Sequence, residues 1–143
     1  MNARQYERLW SAVRSVRDRF KTFEAALGRQ QAHALYRAAA SLVDAERRLL
    51  NIYYQEQTRD RQGHEEPKGD FETLLKAVSG VASVVDQVFA AIFIAAESDI
   101  SADDRARTLL QRTIDEHRRI VRDLLAVWER LPRPRSEGGR GER

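Results

Sequence analysis

The sequence contains no cysteine, and it has only 7 glycines and 3 prolines among 143 residues. Without cysteine, disulfide bonds, thiol catalysis and cysteine-ligated metal sites are excluded. No stretch alternates between apolar and polar residues as a half-buried strand would. Most of the glycines and prolines lie between residues 59 and 70 or after residue 131. The rest of the chain is therefore free to form long helices.

A strong excess of one charge is also missing. The chain has 25 basic and 22 acidic side chains, for a formal net charge of +3. Residues 132–143 contribute +2 of this, from four arginines and two glutamates, so the remaining chain is nearly neutral. Nucleic-acid-binding domains usually carry a concentrated basic surface, which makes this function a secondary expectation. The first ten residues, MNARQYERLW, contain no apolar signal core, and we expect a cytoplasmic protein.

One long apolar run lies between Lys76 and Glu97, and its 20 residues include a single ionisable side chain, Asp86. This length would just span a bilayer. However, Asp86 and Gln87 lie at the midpoint of the run, where an ionised aspartate costs about 2.5 to 3.5 kcal/mol on the insertion scale. The run therefore predicts a central, buried helix and no membrane span.

Apolar residues recur at helical spacing through most of the chain, which predicts four helices at about 3–27, 30–58, 71–98 and 102–131. The loop 59–70 contains Gly63, Pro67 and Gly69, and Asp70 and Ser101 are the predicted N-caps that follow the two later connections. The pattern predicts an all-α antiparallel four-helix bundle over residues 1–131, with a disordered tail at 132–143. No strong N-cap follows Gly28, so the first two helices form either a hairpin or one kinked helix.

Two polar residues interrupt the predicted core, Asp86 in the third helix and His117 on the apolar seam of the fourth. A hairpin that turns near residue 99 places Asp86 opposite about position 113. Arg112 and His117 are then its nearest polar neighbours. Because a lone buried carboxylate is costly, we predict that Asp86 is paired with Arg112 or His117.

The chemistry-bearing residues form no recognisable catalytic or metal-binding constellation. His33, His64 and His117 lie in three different segments. Asp115, Glu116 and His117 are consecutive, so they point in different directions on a helix. There is no glycine-rich phosphate loop and no Ser-His-Asp arrangement. The sequence thus predicts a non-enzymatic protein with no metal and no cofactor.

Two stretches have the spacing R-x4-H, from Arg59 to His64 and from Arg112 to His117. This spacing is similar to the short Arg/His motif of HEPN-type ribonucleases, which are small helical bundles. The resemblance implies a ribonuclease. With 22 arginines and 3 histidines in the chain, about one such match is expected by chance, so this is a lesser alternative.

The leading hypothesis is an interaction or assembly protein that self-associates or binds a protein partner through the wide apolar arc of the first two helices. Aromatic side chains dominate such surfaces, and the candidate anchors are Trp10, Tyr36, Tyr53 and Tyr54. The alternative is a nucleic-acid accessory bundle. Its candidate phosphate-binding residues are Arg14, Arg17 and Lys21 on the first helix and Arg105, Arg112 and Arg119 on the last.

Overall fold

A computed structural model shows four helices: α1 (Ala3–Arg29), α2 (Ala32–Gly63), α3 (Gly69–Glu97) and α4 (Asp104–Arg130). The structure describes residues 1–29, 32–63, 69–97 and 104–134. Side chains are described for all of these except 27–29, 32, 33, 60–63, 88, 89, 91–97, 104 and 106. No strand occurs in these ranges, and the predicted all-α bundle is confirmed. None of the helices, as far as they are described, is long and apolar enough to cross a membrane.

The helices form a ring in which α1 packs on α2, α2 on α3, α3 on α4 and α4 on α1. Contacts between neighbours show that each pair is antiparallel. Arg4, near the start of α1, donates a hydrogen bond to Glu56 near the end of α2, whereas Arg19, later in α1, donates one to Ser41 in the first half of α2. The first two helices therefore form a hairpin and not one kinked helix.

Side chains from all four helices meet in one apolar core. Val16 of α1, Leu42 of α2, Val81 and Val84 of α3 and Leu124 of α4 are all 0 % exposed. Burial of an aliphatic side chain of this size stabilises the fold by about 1.5 to 3 kcal/mol. The ring order leaves α1 opposite α3 and α2 opposite α4, so a residue of α2 reaches α4 only across the core.

The start of α1 has a reciprocal cap that the sequence reading missed. The side chain of Asn2 accepts a hydrogen bond from the amide of Gln5 at 2.8 Å, and the Gln5 side chain accepts one from the amide of Asn2 at 3.0 Å. This is a capping box, which satisfies two amides that the helix itself leaves unpaired. It fixes the beginning of α1, and with it the position of Tyr6 and Trp10.

Several helix ends differ from the predicted ones. Helix α2 continues through Gly63, so the predicted loop 59–70 begins later, and its residues 64–68 lie outside the described part of the chain. Asp70 is not an N-cap, because α3 begins at Gly69 and the Asp70 carboxylate lies 3.3 Å from the amino group of Met1. Ser101 and residues 135–143 also lie outside the described residues, so the predicted cap and most of the predicted tail are not seen.

The prediction that Asp86 is buried beside Arg112 or His117 is wrong. Its side chain is 89 % exposed, and the nearest cation is Arg47 at 3.9 Å. The predicted register of α3 on α4 holds, since Gly80 lies against Ile120. The predicted rotation of α3 about its own axis is wrong. Val84 is buried whereas Ala82 is exposed, so the core takes the larger apolar side chain and Asp86 lies in solvent, without a desolvation cost.

Candidate functional site

The polar group that the core does contain is a pair formed by His117 of α4 and Glu46 of α2. His117 Nε2 and Glu46 Oε2 are 2.9 Å apart and share a hydrogen bond, and the two side chains are 0 % and 1 % exposed. Because α2 and α4 are diagonal in the ring, this bond crosses the centre of the bundle. The ring of Phe20, from α1, stacks on the imidazole at a centroid distance of 6.1 Å.

Burial raises the pKa of Glu46 above its usual 4.5, although the hydrogen bond and charge of His117 oppose this shift. Glu46 Oε1 and His117 Nδ1 have no hydrogen-bond partner among the described residues. A His–Glu pair can act in acid–base catalysis when it reaches a substrate. Here both side chains are enclosed, so His117 cannot approach an RNA phosphate and Arg112, which is exposed, does not lie with it in a site. His64, from the other R-x4-H stretch, lies outside the described residues.

A second glutamate, Glu56 near the end of α2, is also buried but has a different environment. Its carboxylate accepts hydrogen bonds from Arg4 at 2.8 and 3.1 Å and from Arg8 at 2.6 Å. Burial raises the pKa of Glu56, but these hydrogen bonds and the arginine charges outweigh burial and hold the pKa below 4.5. These hydrogen bonds connect α1 to α2, so Arg4 and Arg8 have a structural role.

A cleft of about 620 Å³ lies between the first half of α1 and the end of α4. Three aromatic side chains form its apolar wall. Trp10 stacks on Trp128 with ring centroids 5.6 Å apart, and Tyr6 lies against Trp128 at 4.7 Å. Trp128 is 3 % exposed, whereas Trp10 is only half-buried and presents its remaining surface to the cleft. Arg17 covers part of the Trp10 ring at 5.8 Å, a cation–π contact.

Charged side chains surround these aromatics. Glu7 and Arg14 of α1 line the cleft together with Glu129 of α4 and Arg133 beyond it. Among the described residues none of the four forms an ion pair. Tryptophan, tyrosine and arginine are the residues that most often dominate binding energy at protein interfaces. The cleft thus combines an apolar, aromatic floor with charges that are available to an external partner.

The other predicted anchors have different positions. Tyr53 is 0 % exposed and donates a hydrogen bond to the carbonyl of Phe71 at 2.9 Å, so it is a core residue and its prediction as a partner anchor is wrong. Tyr36 and Tyr54 are 52 % and 49 % exposed. They are 18 residues apart on α2, which is about 27 Å along a helix. They do not form one surface with Trp10.

The structure does not bring the predicted phosphate-binding residues together. Arg14, Arg17 and Lys21 lie along the outer side of α1, and Arg17 is paired with Asp18 at 3.0 Å. Arg105, Arg112 and Arg119 are exposed on α4, and Arg119 lines a separate groove beside α3 and lies 3.7 Å from Asp123. Arg14 lines the cleft between α1 and α4, whereas Arg119 lines the groove beside α3, so these two arginines do not share a surface.

Sequence reasoning missed both buried glutamates, although a signal was present. Leu42, Glu46, Leu49, Tyr53 and Glu56 step by 4, 3, 4 and 3 residues, which places the two acids on a buried stripe of α2. A charged residue at such a position indicates a buried partner. His117 could have been matched with Glu46 on that ground.

Within the part of the chain that the structure describes, no group of three or more histidine, aspartate or glutamate side chains is arranged to hold a metal ion. No protein-family model matches the chain, and no curated protein or solved structure shows significant similarity to it.

Proposed function

We propose that the protein is a non-enzymatic helical-bundle interaction protein, and that the cleft between α1 and α4 is its binding surface for a protein partner. The observation that carries this proposal is the half-buried Trp10, which stacks on Trp128 in a cleft whose charged lining residues form no ion pair with another described residue. A large aromatic side chain in a fixed orientation contributes binding energy at a small entropic cost, because little freedom remains to be lost.

The structure around the cleft supports this role. Trp10 is oriented by Trp128 and Arg17, and the beginning of α1 is fixed by its capping box and by Arg4 and Arg8 on Glu56. A surface held in place by such contacts needs little rearrangement on binding. The helix pair α1–α4 is also the least extensively packed of the four neighbouring pairs. A partner at this seam would cover the most open side of the ring.

Site-specific photo-crosslinking tests the proposal. A photoreactive amino acid at position 7, at the edge of the cleft, is expected to form covalent adducts with a protein when the chain is expressed in its native cells. The matched control carries the same group at position 44, where Asp44 is an exposed residue on the outer side of α2. Adducts of equal yield at both positions, or none at position 7, would exclude the cleft as the binding surface.

The nucleic-acid alternative retains one specific observation in its favour. Arg14 and Lys21 are exposed on the same side of α1 as Trp10, and neither forms an ion pair with another described residue. Basic side chains along a helix next to an aromatic ring are a means of binding single-stranded nucleic acid. The near neutrality of the chain makes this the second candidate.

A further inference from the structure

The partner that best fits the cleft can be inferred from the order of charges along its two helices. On α1, Glu7, Trp10 and Arg14 follow one another on one side of the helix. On α4, Arg122, Leu125 and Glu129 do the same. Residues three, four and seven apart share a helix face, so each helix carries one charge at each end of an apolar centre.

The antiparallel packing of α1 and α4 aligns these charges by sign. Tyr6 lies against Trp128, and Glu24 bonds Arg118 at 2.7 Å, which fixes the register of the two helices. Glu7 and Glu129 therefore lie at the same end of the seam, and both line the cleft. By the same register Arg14 lies beside Arg122. Arg133 lines the cleft at the Glu7 and Glu129 end as well, so this end, called the acidic end below, has two acidic residues and one basic residue. An aromatic and apolar centre and a basic end follow along the seam.

We propose, on the basis of the interaction function above, that the occupant of this surface is a second copy of the same chain, related by a two-fold axis near Trp10. A two-fold axis perpendicular to the seam places the acidic end of one copy on the basic end of the other, twice. Glu7 then pairs with the second copy's Arg14, and Arg14 with the second copy's Glu7. The two copies of Trp10 lie near the axis, at the centre of the interface.

The charges favour a second copy over the other occupants. Within the monomer, the seam places like charges side by side, and these repel until a partner of opposite polarity covers them. The chain's own last residues, 135–143, read RSEGGRGER and contain no apolar side chain to cover the indole of Trp10. A nucleic acid would meet the basic end favourably but would be repelled by Glu7 and Glu129.

Charge reversal followed by mixing gives a sharp test, because Glu7 and Arg14 are exposed and their replacement does not touch the core. Sedimentation velocity over a concentration series is expected to show a reversible dimer of the wild-type chain. Glu7→Arg alone and Arg14→Glu alone should each weaken the dimer by about tenfold or more, since each creates two like-charge pairs. An equimolar mixture of the two variants should restore association, because both pairs in the mixed dimer are then of opposite charge.

Matched controls separate this interface from a general effect of charge. Arg48→Glu and Asp44→Arg, both at exposed positions on α2, change the charge by the same amounts and should leave the dimer unchanged. The chain has no cysteine, so Ser11→Cys and Ser79→Cys each provide a single thiol. A short bis-maleimide should link two copies through position 11, beside the axis, but not through position 79 on α3.

The results distinguish the second copy from the wider proposal. A wild-type chain that stays monomeric at all concentrations, a dimer that is insensitive to both reversals, or a mixture that fails to associate would each overturn the two-fold interface. If a monomer nevertheless forms adducts with another protein from position 7, the interaction function stands and only the identity of the partner is wrong. If position 7 forms no adducts and the chain is monomeric, both proposals fail.

Discussion

Two buried glutamates of α2 have pKa values that are shifted in opposite directions, because their surroundings differ. Among the described residues Glu46 has one hydrogen-bond partner, His117, and burial raises its pKa above 4.5. Glu56 is equally inaccessible, but two arginines bond its carboxylate and its pKa is lowered. The folded protein therefore favours the protonated form of the first acid and the ionised form of the second.

The pH dependence of stability should reveal this difference. The pKa of Glu46 is raised in the folded state, so its contribution to the free energy of unfolding is complete below about pH 4.5 and is lost as the pH rises through the raised value. Glu46→Gln keeps a neutral side chain at all pH values. We expect its stability, relative to wild type, to increase with pH across this window and then to level off, as measured by urea denaturation at a series of pH values.

Glu56→Gln is the matched control, and the sign of its effect is opposite. The Glu56 contribution is present above pH 4.5 and is lost as the pH falls through the lowered pKa, so the variant should be destabilised at neutral pH and approach wild type in acid. Curves for Glu46→Gln and wild type that run parallel from pH 4 to 8 would mean that Glu46 does not titrate differently in the folded and unfolded states.

At the scale of the helix, α3 shows what periodicity can and cannot decide. Its apolar content predicts a helix, which is confirmed, and a hairpin around residue 99 gives the correct register on α4. The prediction of a central, buried position is wrong, because α3 packs only on α2 and α4 and exposes Leu75, Ala82 and Asp86. However, a helix that is apolar nearly all round has no polar face to define its outer side. The sequence pattern therefore does not determine the rotation of α3 about its own axis, which in the structure places Val84 in the core and Asp86 in solvent.

Gly80 lies in the interior of α3, where glycine is unfavourable, and its replacement by alanine should stabilise the protein. A methyl group at this position would lie 3.5 Å from the side chain of Ile120, an ordinary van der Waals contact. Alanine is favoured over glycine in a helix interior by about 0.5 to 1 kcal/mol. We therefore expect Gly80→Ala to raise the free energy of unfolding by about that amount in chemical denaturation.

Ala82→Gly is the matched control for this prediction. Ala82 is exposed on the same helix, so the variant should lose about 0.5 to 1 kcal/mol through helix propensity alone. If Gly80→Ala is destabilising while Ala82→Gly behaves as expected, α3 and α4 are closer together at this point than the structure shows.

For the whole molecule, the sequence predicted the number and order of the helices because the seams of α1, α2 and α4 are strongly periodic. The sequence pattern did not predict the cleft. Tyr6 and Trp128 occupy regular seam positions, and their pattern is that of ordinary core residues. Only the antiparallel register of α1 on α4, which joins residues more than 100 positions apart, shows that Trp10 lies beside Trp128 and that Glu7 and Glu129 lie at the same end of the seam.

The distribution of charge over the whole molecule also leads to a prediction about nucleic acid. Acidic side chains form ion pairs with Arg4, Arg8, Arg17, Arg118 and Arg119, and the net charge is only +3. We therefore expect no measurable binding to single-stranded RNA or DNA at about 0.15 M salt in fluorescence anisotropy.

If the protein does bind nucleic acid through α1, its affinity should fall steeply with salt. The slope of log affinity against log salt concentration should then become shallower by about 1.4 units in the double variant Arg14→Ala/Lys21→Ala, because two phosphate contacts are lost and each contributes about 0.7 for a single strand. Truncation after residue 131 separates the contribution of the tail, which carries four arginines. A slope that changes with the α1 variant but not with the truncation would place a nucleic acid on α1, where it would compete with a second copy of the chain for the same surface.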